Sequence, residues 1–171
     1  MAKALRLFCL TLVLLYFVGH DGLAETAQDR QFFAGLKAFD AGDYNRVEKL
    51  WRPLAETGYI AALLALADFY DRGLSGKLQV ARATQLYRAA AHQGHPLAFI
   101  ALAERALAGV IKPQAAGQDR VIEAYYWYRK AALAGNAYGR KMANKWADKI
   151  SSDARRSVAE RIASEKARQN R

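Results

Sequence analysis

Apolar residues recur along most of the chain at the three-to-four-residue interval of helices that bury one face. Eight helices are expected, near 28–40, 44–57, 59–72, 80–93, 96–108, 119–134, 137–149 and 152–168. The connections are short except around Lys112 to Gly117, where Pro113 and Gly117 mark a loop. Composition points the same way. Hydrophobic residues make up 53% of the chain, skewed to Ala and Leu, with only 3 Pro. Ala costs least in a helix, whereas β-branched residues suit strands.

The pattern also repeats. Three segments ending in Gly58, Gly94 and Gly135 align without gaps. Each has an aromatic seven residues before its glycine (Trp51, Tyr87, Tyr128) and an arginine six before (Arg52, Arg88, Arg129). Apolar pairs follow at Leu54-Ala55, Ala90-Ala91 and Ala131-Ala132. Beyond the glycines, Ala62, Ala65, Leu66 and Ala67 match Ala98, Ala101, Leu102 and Ala103, and Gly73 matches Gly109. Two unrelated helices would not share these offsets, so the expected fold is all-α, a solenoid of stacked antiparallel helix pairs. The three glycines stand where a helix C-cap needs positive φ. Small alanines let helices approach closely, and the aromatics and leucines supply buried bulk.

The segment 151–171 reads as a basic capping helix. Ser151 or Ser152 can accept from free N–H groups at its start, and Ala154, Val158 and Ile162 form a narrow apolar stripe beside Arg155, Arg156, Arg161 and Lys166. A unit with a polar outer face is what ends a helical stack.

These residues resemble the Sel-one-like repeat (SLR) family, a relative of tetratricopeptide helical repeats. Its units run Ala-x-x-x-Leu-Gly-x-x-Tyr-x-x-Gly, a loop, then Ala-x-x-Trp-Tyr-x-x-Ala-Ala-x-x-Gly. Ala62, Leu66, Tyr70 and Gly73 fit the first half, and Ala83, Tyr87, Ala90, Ala91 and Gly94 the second. In the next unit Ala98, Leu102 and Gly109 fit, followed by Ala124, Trp127, Tyr128, Ala131, Ala132 and Gly135. The family glycine after the leucine is Ala67 and Ala103 here, and its tyrosine is Ala106 in the second unit. The opening around Gly42-Asp43-Tyr44 is closer to an ordinary tetratricopeptide hairpin. The resemblance covers roughly residues 30–150 and implies an adaptor that holds protein partners, with the first helix of each pair lining the binding face.

Residues 1–24 read as a signal peptide. Lys3 and Arg6 precede an apolar run from Leu7 to Val18, and Gly22-Leu23-Ala24 offers a cleavage site, so the mature chain would begin near Glu25. The run is shorter than the roughly 20 residues a membrane-spanning helix needs. The single cysteine, Cys9, lies within it, leaving the repeat region without disulfide or thiol chemistry. This predicts a periplasmic or secreted protein.

Formal charge is +10 overall, and residues 140–171 hold 10 Lys/Arg against 4 Asp/Glu. Such asymmetry suits an acidic partner or an anionic surface, or simply a solvated helix face. Export and the lack of any nucleic-acid module argue against nucleic acid as partner.

Catalytic signals are absent. His92 and His95 have metal-like spacing, but Gly94 between them ends the helix, and two exposed loop histidines are expected. Asp40 and Asp43 flank Gly42 as turn residues, and Asp68 and Glu104 share a repeat position that suits solvated helix faces. No phosphate loop, dinucleotide fingerprint or nucleophile motif occurs. No catalytic, metal or cofactor residue, no cofactor and no small-molecule substrate is therefore expected. Trp127 and Tyr128 match core positions, which leaves Tyr125 or Tyr126 as the candidate exposed aromatic of the run. The expected function is that of an exported scaffold for protein–protein interaction; the alternative is an anionic-polymer or membrane-surface binder acting through the basic C-terminal helix.

Overall fold

The computed structural model describes residues 26–111 and 113–169. The signal-peptide expectation falls outside them. The described chain is all-helical: α1 (Ala27–Asp40), α2 (Tyr44–Glu56), α3 (Ile60–Asp71), α4 (Val80–His92), α5 (Pro96–Leu107), α6 (Gly117–Leu133), α7 (Ala137–Ala147) and α8 (Ser152–Gln169). Every helix expected from the sequence is present, with ends displaced by at most two residues. Contacts divide the chain into two compact units at the Gln79–Val80 junction.

The first unit holds α1 to α3, with α2 packed on both α1 and α3. The α1 start is fixed by a capping box, in which Thr26 Oγ1 accepts from the Asp29 N–H at 3.1 Å and the Asp29 carboxylate accepts from the Thr26 N–H at 2.9 Å. Asp43 caps α2 through the Arg46 N–H, so this aspartate serves the turn as its neighbourhood predicts. At the centre lies Trp51, 1% exposed, its ring stacked on Phe32 and its Nε1 donating to the Phe32 carbonyl at 3.1 Å. Gly35 makes this possible, because a Cβ there would fall within the Trp51 indole.

The second unit holds α4 to α8. α5 packs on α4 and α6, and α6 is contacted also by α7 and α8. Gly139 brings α7 close to α6: a Cβ at that position would meet Ala131. Several matched repeat positions are alike in burial in both units. Trp51, Tyr87 and Tyr128 are all buried, as are Ala62 and Ala98, Leu66 and Leu102, and Ala67 and Ala103. Gly58, Gly94 and Gly135 adopt φ of 82°, 81° and 85°, the left-handed conformation that the repeat alignment required.

Gly35→Ala tests the packing against the propensity. Ala is favoured over Gly by about 1 kcal/mol in a helix interior, yet overpacking a close-fitted core destabilises by about 1–3 kcal/mol. The expected outcome is a lower melting temperature; a rise in thermal denaturation would show that Trp51 moves aside freely.

Candidate functional site

The residues with chemistry gather where α8 lies against α6. Glu123 and Tyr126, on α6, are both buried, and Arg161 reaches them from α8. The Arg161 guanidinium lies 3.6 Å from the Tyr126 ring centroid, with Nη1 donating to Glu123 Oε2 at 3.0 Å. Glu165, one turn further along α8, accepts from the Tyr126 hydroxyl at 2.7 and 2.8 Å and from Lys130 Nζ at 3.0 Å. Lys130 Nζ also stands 5.1 Å from the Phe99 ring centroid. Two carboxylates and two cations thus surround one aromatic ring, each charge with an opposite neighbour.

The electrostatics follow from that arrangement. Burial, reinforced by the hydrogen bond to Glu165, pushes the Tyr126 hydroxyl well above its usual range. For Glu165, burial raises the pKa, but the hydrogen bonds from Tyr126 and Lys130 outweigh it and hold the carboxyl below its ordinary value. Tyr126 is therefore a neutral donor and Glu165 a charged acceptor near neutral pH. Neither is poised to exchange a proton, and the cluster joins two helices.

Further α8 residues serve the same joint. Arg155 Nη1 donates to the carbonyls of Ala147 and Ile150 at 2.7 and 3.1 Å, satisfying acceptors at the end of α7. Ser151 Oγ accepts from the Ala154 N–H at 3.2 Å, and Val158 is buried with Ala154 and Ile162 partly so. The cap and the apolar stripe stand where the sequence places them.

Three expectations are corrected. Neither Tyr125 nor Tyr126 is an exposed aromatic: at 7% and 2% exposure both are buried, because α6 is covered by α5, α7 and α8 and has little free surface. Trp127, matched to a core position, is only partly buried and stacks on Phe99. His92 is exposed at the end of α4, but His95, at the N-cap of α5, is half-buried with Nδ1 enclosed and lacking a hydrogen-bond partner among the described residues. Burial lowers the His95 pKa.

The two repeat-matched carboxylates stand in different settings. Asp68 pairs with Arg72 at 3.0 Å on α3. Glu104 is exposed on α5, and burial together with the Glu104 charge pushes the Tyr128 hydroxyl up to about 12. No cluster of three metal-ligating side chains occurs among the described residues, and none of their helices is long and apolar enough to cross a membrane. An open depression of about 510 Å³ on α2 is lined by Asn45, Glu48, Lys49, Arg52 and Pro53. Its single carboxylate is already bonded to the Tyr70 hydroxyl at 2.6 Å and paired with Arg52.

The joint had a faint trace in the sequence. Twelve, nine and five residues before the repeat glycines stand Arg46, Lys49 and Pro53, then Arg82, Gln85 and Ala89, then Glu123, Tyr126 and Lys130. Only the third copy places an acid at the first of these positions and an aromatic at the second. In α2 all three residues are exposed, whereas in α6 Glu123 and Tyr126 are buried under α8. No family model, curated protein or solved structure matches the chain.

Glu123→Ala removes the enclosed carboxylate and leaves Arg161 only Glu165. Breaking a fully buried pair costs about 3–5 kcal/mol; the partly exposed arginine reduces the expected loss to about 1–2 kcal/mol. Amide exchange within 152–169 should accelerate ahead of that in α6. Unchanged protection of α8 would show that the network does not hold it.

Because the folded-state pKa of His95 lies below its unfolded value near 6.5, protons bind the unfolded chain preferentially. Stability should fall as pH drops through 6.5, and His95→Gln should flatten the dependence of melting temperature on pH between 7.5 and 5. An identical slope in the variant would assign the acid sensitivity to other groups.

Proposed function

We propose that this chain is an exported helical-repeat scaffold that works by binding a protein partner in the cell envelope, not by catalysing a reaction. On this reading its helices form antiparallel pairs stacked as a solenoid of Sel-one-like repeats, delivered by a signal peptide cleaved after Ala24. The observation that carries the reading is the likeness of matched repeat positions: aromatics and small residues at several of these offsets are buried alike, and the glycines share positive φ. Such repetition produces extended preformed surfaces, the usual means by which helical arrays hold other proteins. The charged groups of the second unit support it too. Those brought together at the α6–α8 joint are mutually neutralised and serve to fasten helices.

The rival reading, an anionic-surface binder acting through α8, has less behind it. Arg161 faces α6 carboxylate, Arg155 faces backbone carbonyls and Arg156 pairs with Asp153. These contacts leave α8 with fewer free cations than its composition suggests.

Expression of the whole chain with a C-terminal tag in an exporting bacterium, followed by crosslinking and purification at low and high salt, tests the proposal. The expected result is a processed chain beginning at Glu25 and one defined protein retained at both salts. Retention of anionic lipid or polymer alone, and only at low salt, would replace the scaffold with the surface binder.

A further inference from the structure

The basic character of the chain is distributed unevenly. Residues 80–171 contain 17 Lys/Arg against 7 Asp/Glu, whereas residues 1–79 contain 9 of each. Several cations of the second unit are already engaged: Arg120 by the carbonyls of Ala115 and Pro113, Lys130 by Glu165, Arg155 by carbonyls, and Arg161 by Glu123. Exposed cations outside such contacts concentrate on α7, with Arg88 on α4 and Lys166 on α8 standing singly. Arg140, Lys141 and Lys145 are exposed on α7, and Lys149 follows just beyond its end. Arg140, Lys141 and Lys149 form no ion pair among the described residues, and Lys145 meets only the Trp146 ring, at 5.4 Å.

Tyr138 lies on the same helix, 47% exposed. Tyr138, Lys141 and Lys145 stand at i, i+3 and i+7, on one face. Leu133, 64% exposed, precedes the turn at Gly135 that leads into α7. The result is a line of cations with an aromatic at its N-terminal end, on a helix whose opposite face is fixed against α6 by Gly139 and Ala143.

We propose that this outward face of α7 docks an acidic segment of a protein partner, with carboxylates meeting Lys141 and Lys145 and an apolar side chain meeting Tyr138. The inference rests on the scaffold reading above and names the chemistry of its partner. Charge complementarity selects an acidic occupant, and one further observation selects a polypeptide over a bilayer. A helix lying on a membrane holds itself there by burying its apolar face among the lipids. The apolar face of α7 is already committed to α6, and what it presents outward is three cations, Tyr138 and the small or polar Ala137 and Asn144. A carboxylate-bearing segment uses those groups in full, because residues one turn apart carry charges at matching intervals. Asp148, exposed beside the end of α7, disfavours carboxylates opposite it and so limits the register of the bound segment.

The test uses the protein purified after expression of the whole chain. Fluorescence anisotropy is measured with a labelled helical peptide bearing Glu at every fourth position and one Leu. Its all-Gln counterpart and vesicles of phosphatidylglycerol and phosphatidylcholine serve as comparisons. The Glu peptide should bind at moderate salt at least tenfold more tightly than the Gln peptide. Lys141→Glu with Lys145→Glu should weaken it at least tenfold without altering the circular dichroism spectrum. Lys166→Glu, on α8, should change binding less than twofold. Failure of the Glu peptide to bind, or binding indifferent to the α7 pair, would overturn the assignment of this face while leaving the scaffold reading to its crosslinking test. Vesicle binding lost in the same double variant, with no peptide binding, would overturn both.

Discussion

An aromatic-rich helix needs cover on every side that carries a ring, and for α6 the final cover is a single arginine. The Arg161 guanidinium against Tyr126 converts an apolar face into one that a strongly polar helix can occupy. Glu123 neutralises that arginine from below, while Glu165 returns to the tyrosine hydroxyl and Lys130. α8 contributes one fully buried apolar side chain, Val158. Its attachment therefore combines satisfied charges with a narrow apolar stripe, and the charged part responds to salt in a way that the Trp51 core does not.

That contrast divides the molecule by the kind of force used. In the first unit, a glycine admits an indole, stacked rings fill the space, and the indole N–H finds a backbone carbonyl. In the second, Tyr87, Tyr125, Tyr126 and Tyr128 are buried, and each buried hydroxyl or carboxylate calls for a partner. Charges there serve first as fastenings. Arg140, Lys141 and Lys145 on α7 are among the exposed cations not drawn into such fastenings.

Much of the fold was legible because its determinants are local. Helix extents follow from apolar spacing, and Gly58, Gly94 and Gly135 ended their helices with the predicted sign of φ. Ser151 capped as its position suggested, and Asp43, expected as a turn residue, caps α2 as well. What could not be read depends on how many neighbours a helix acquires. Four consecutive aromatics on an isolated helix must leave one exposed, yet α6 has three packing partners, so Tyr125 and Tyr126 are enclosed while Trp127 is not fully covered. His95 shows the same difficulty at smaller scale, since a position after a turn glycine looks solvent-facing until the next helix folds over it. The pairing of Glu123 with Arg161 spans 38 residues, beyond any local pattern. Its trace was a reversal of charge at one repeat position, meaningful only once the covering helix is known.

The joint between α6 and α8 also sets a schedule. A polypeptide is made from its N-terminus, so the tyrosine face of α6 is complete before Ser152 has been joined to the chain. During that interval Tyr126 and Glu123 have no arginine, and a half-made protein presents an uncovered aromatic strip of the sort that draws nascent chains together. A chaperone that shields such strips, or export in an unfolded state, would carry the molecule across this gap, and a ribosome stalling between α7 and α8 would leave that strip uncovered.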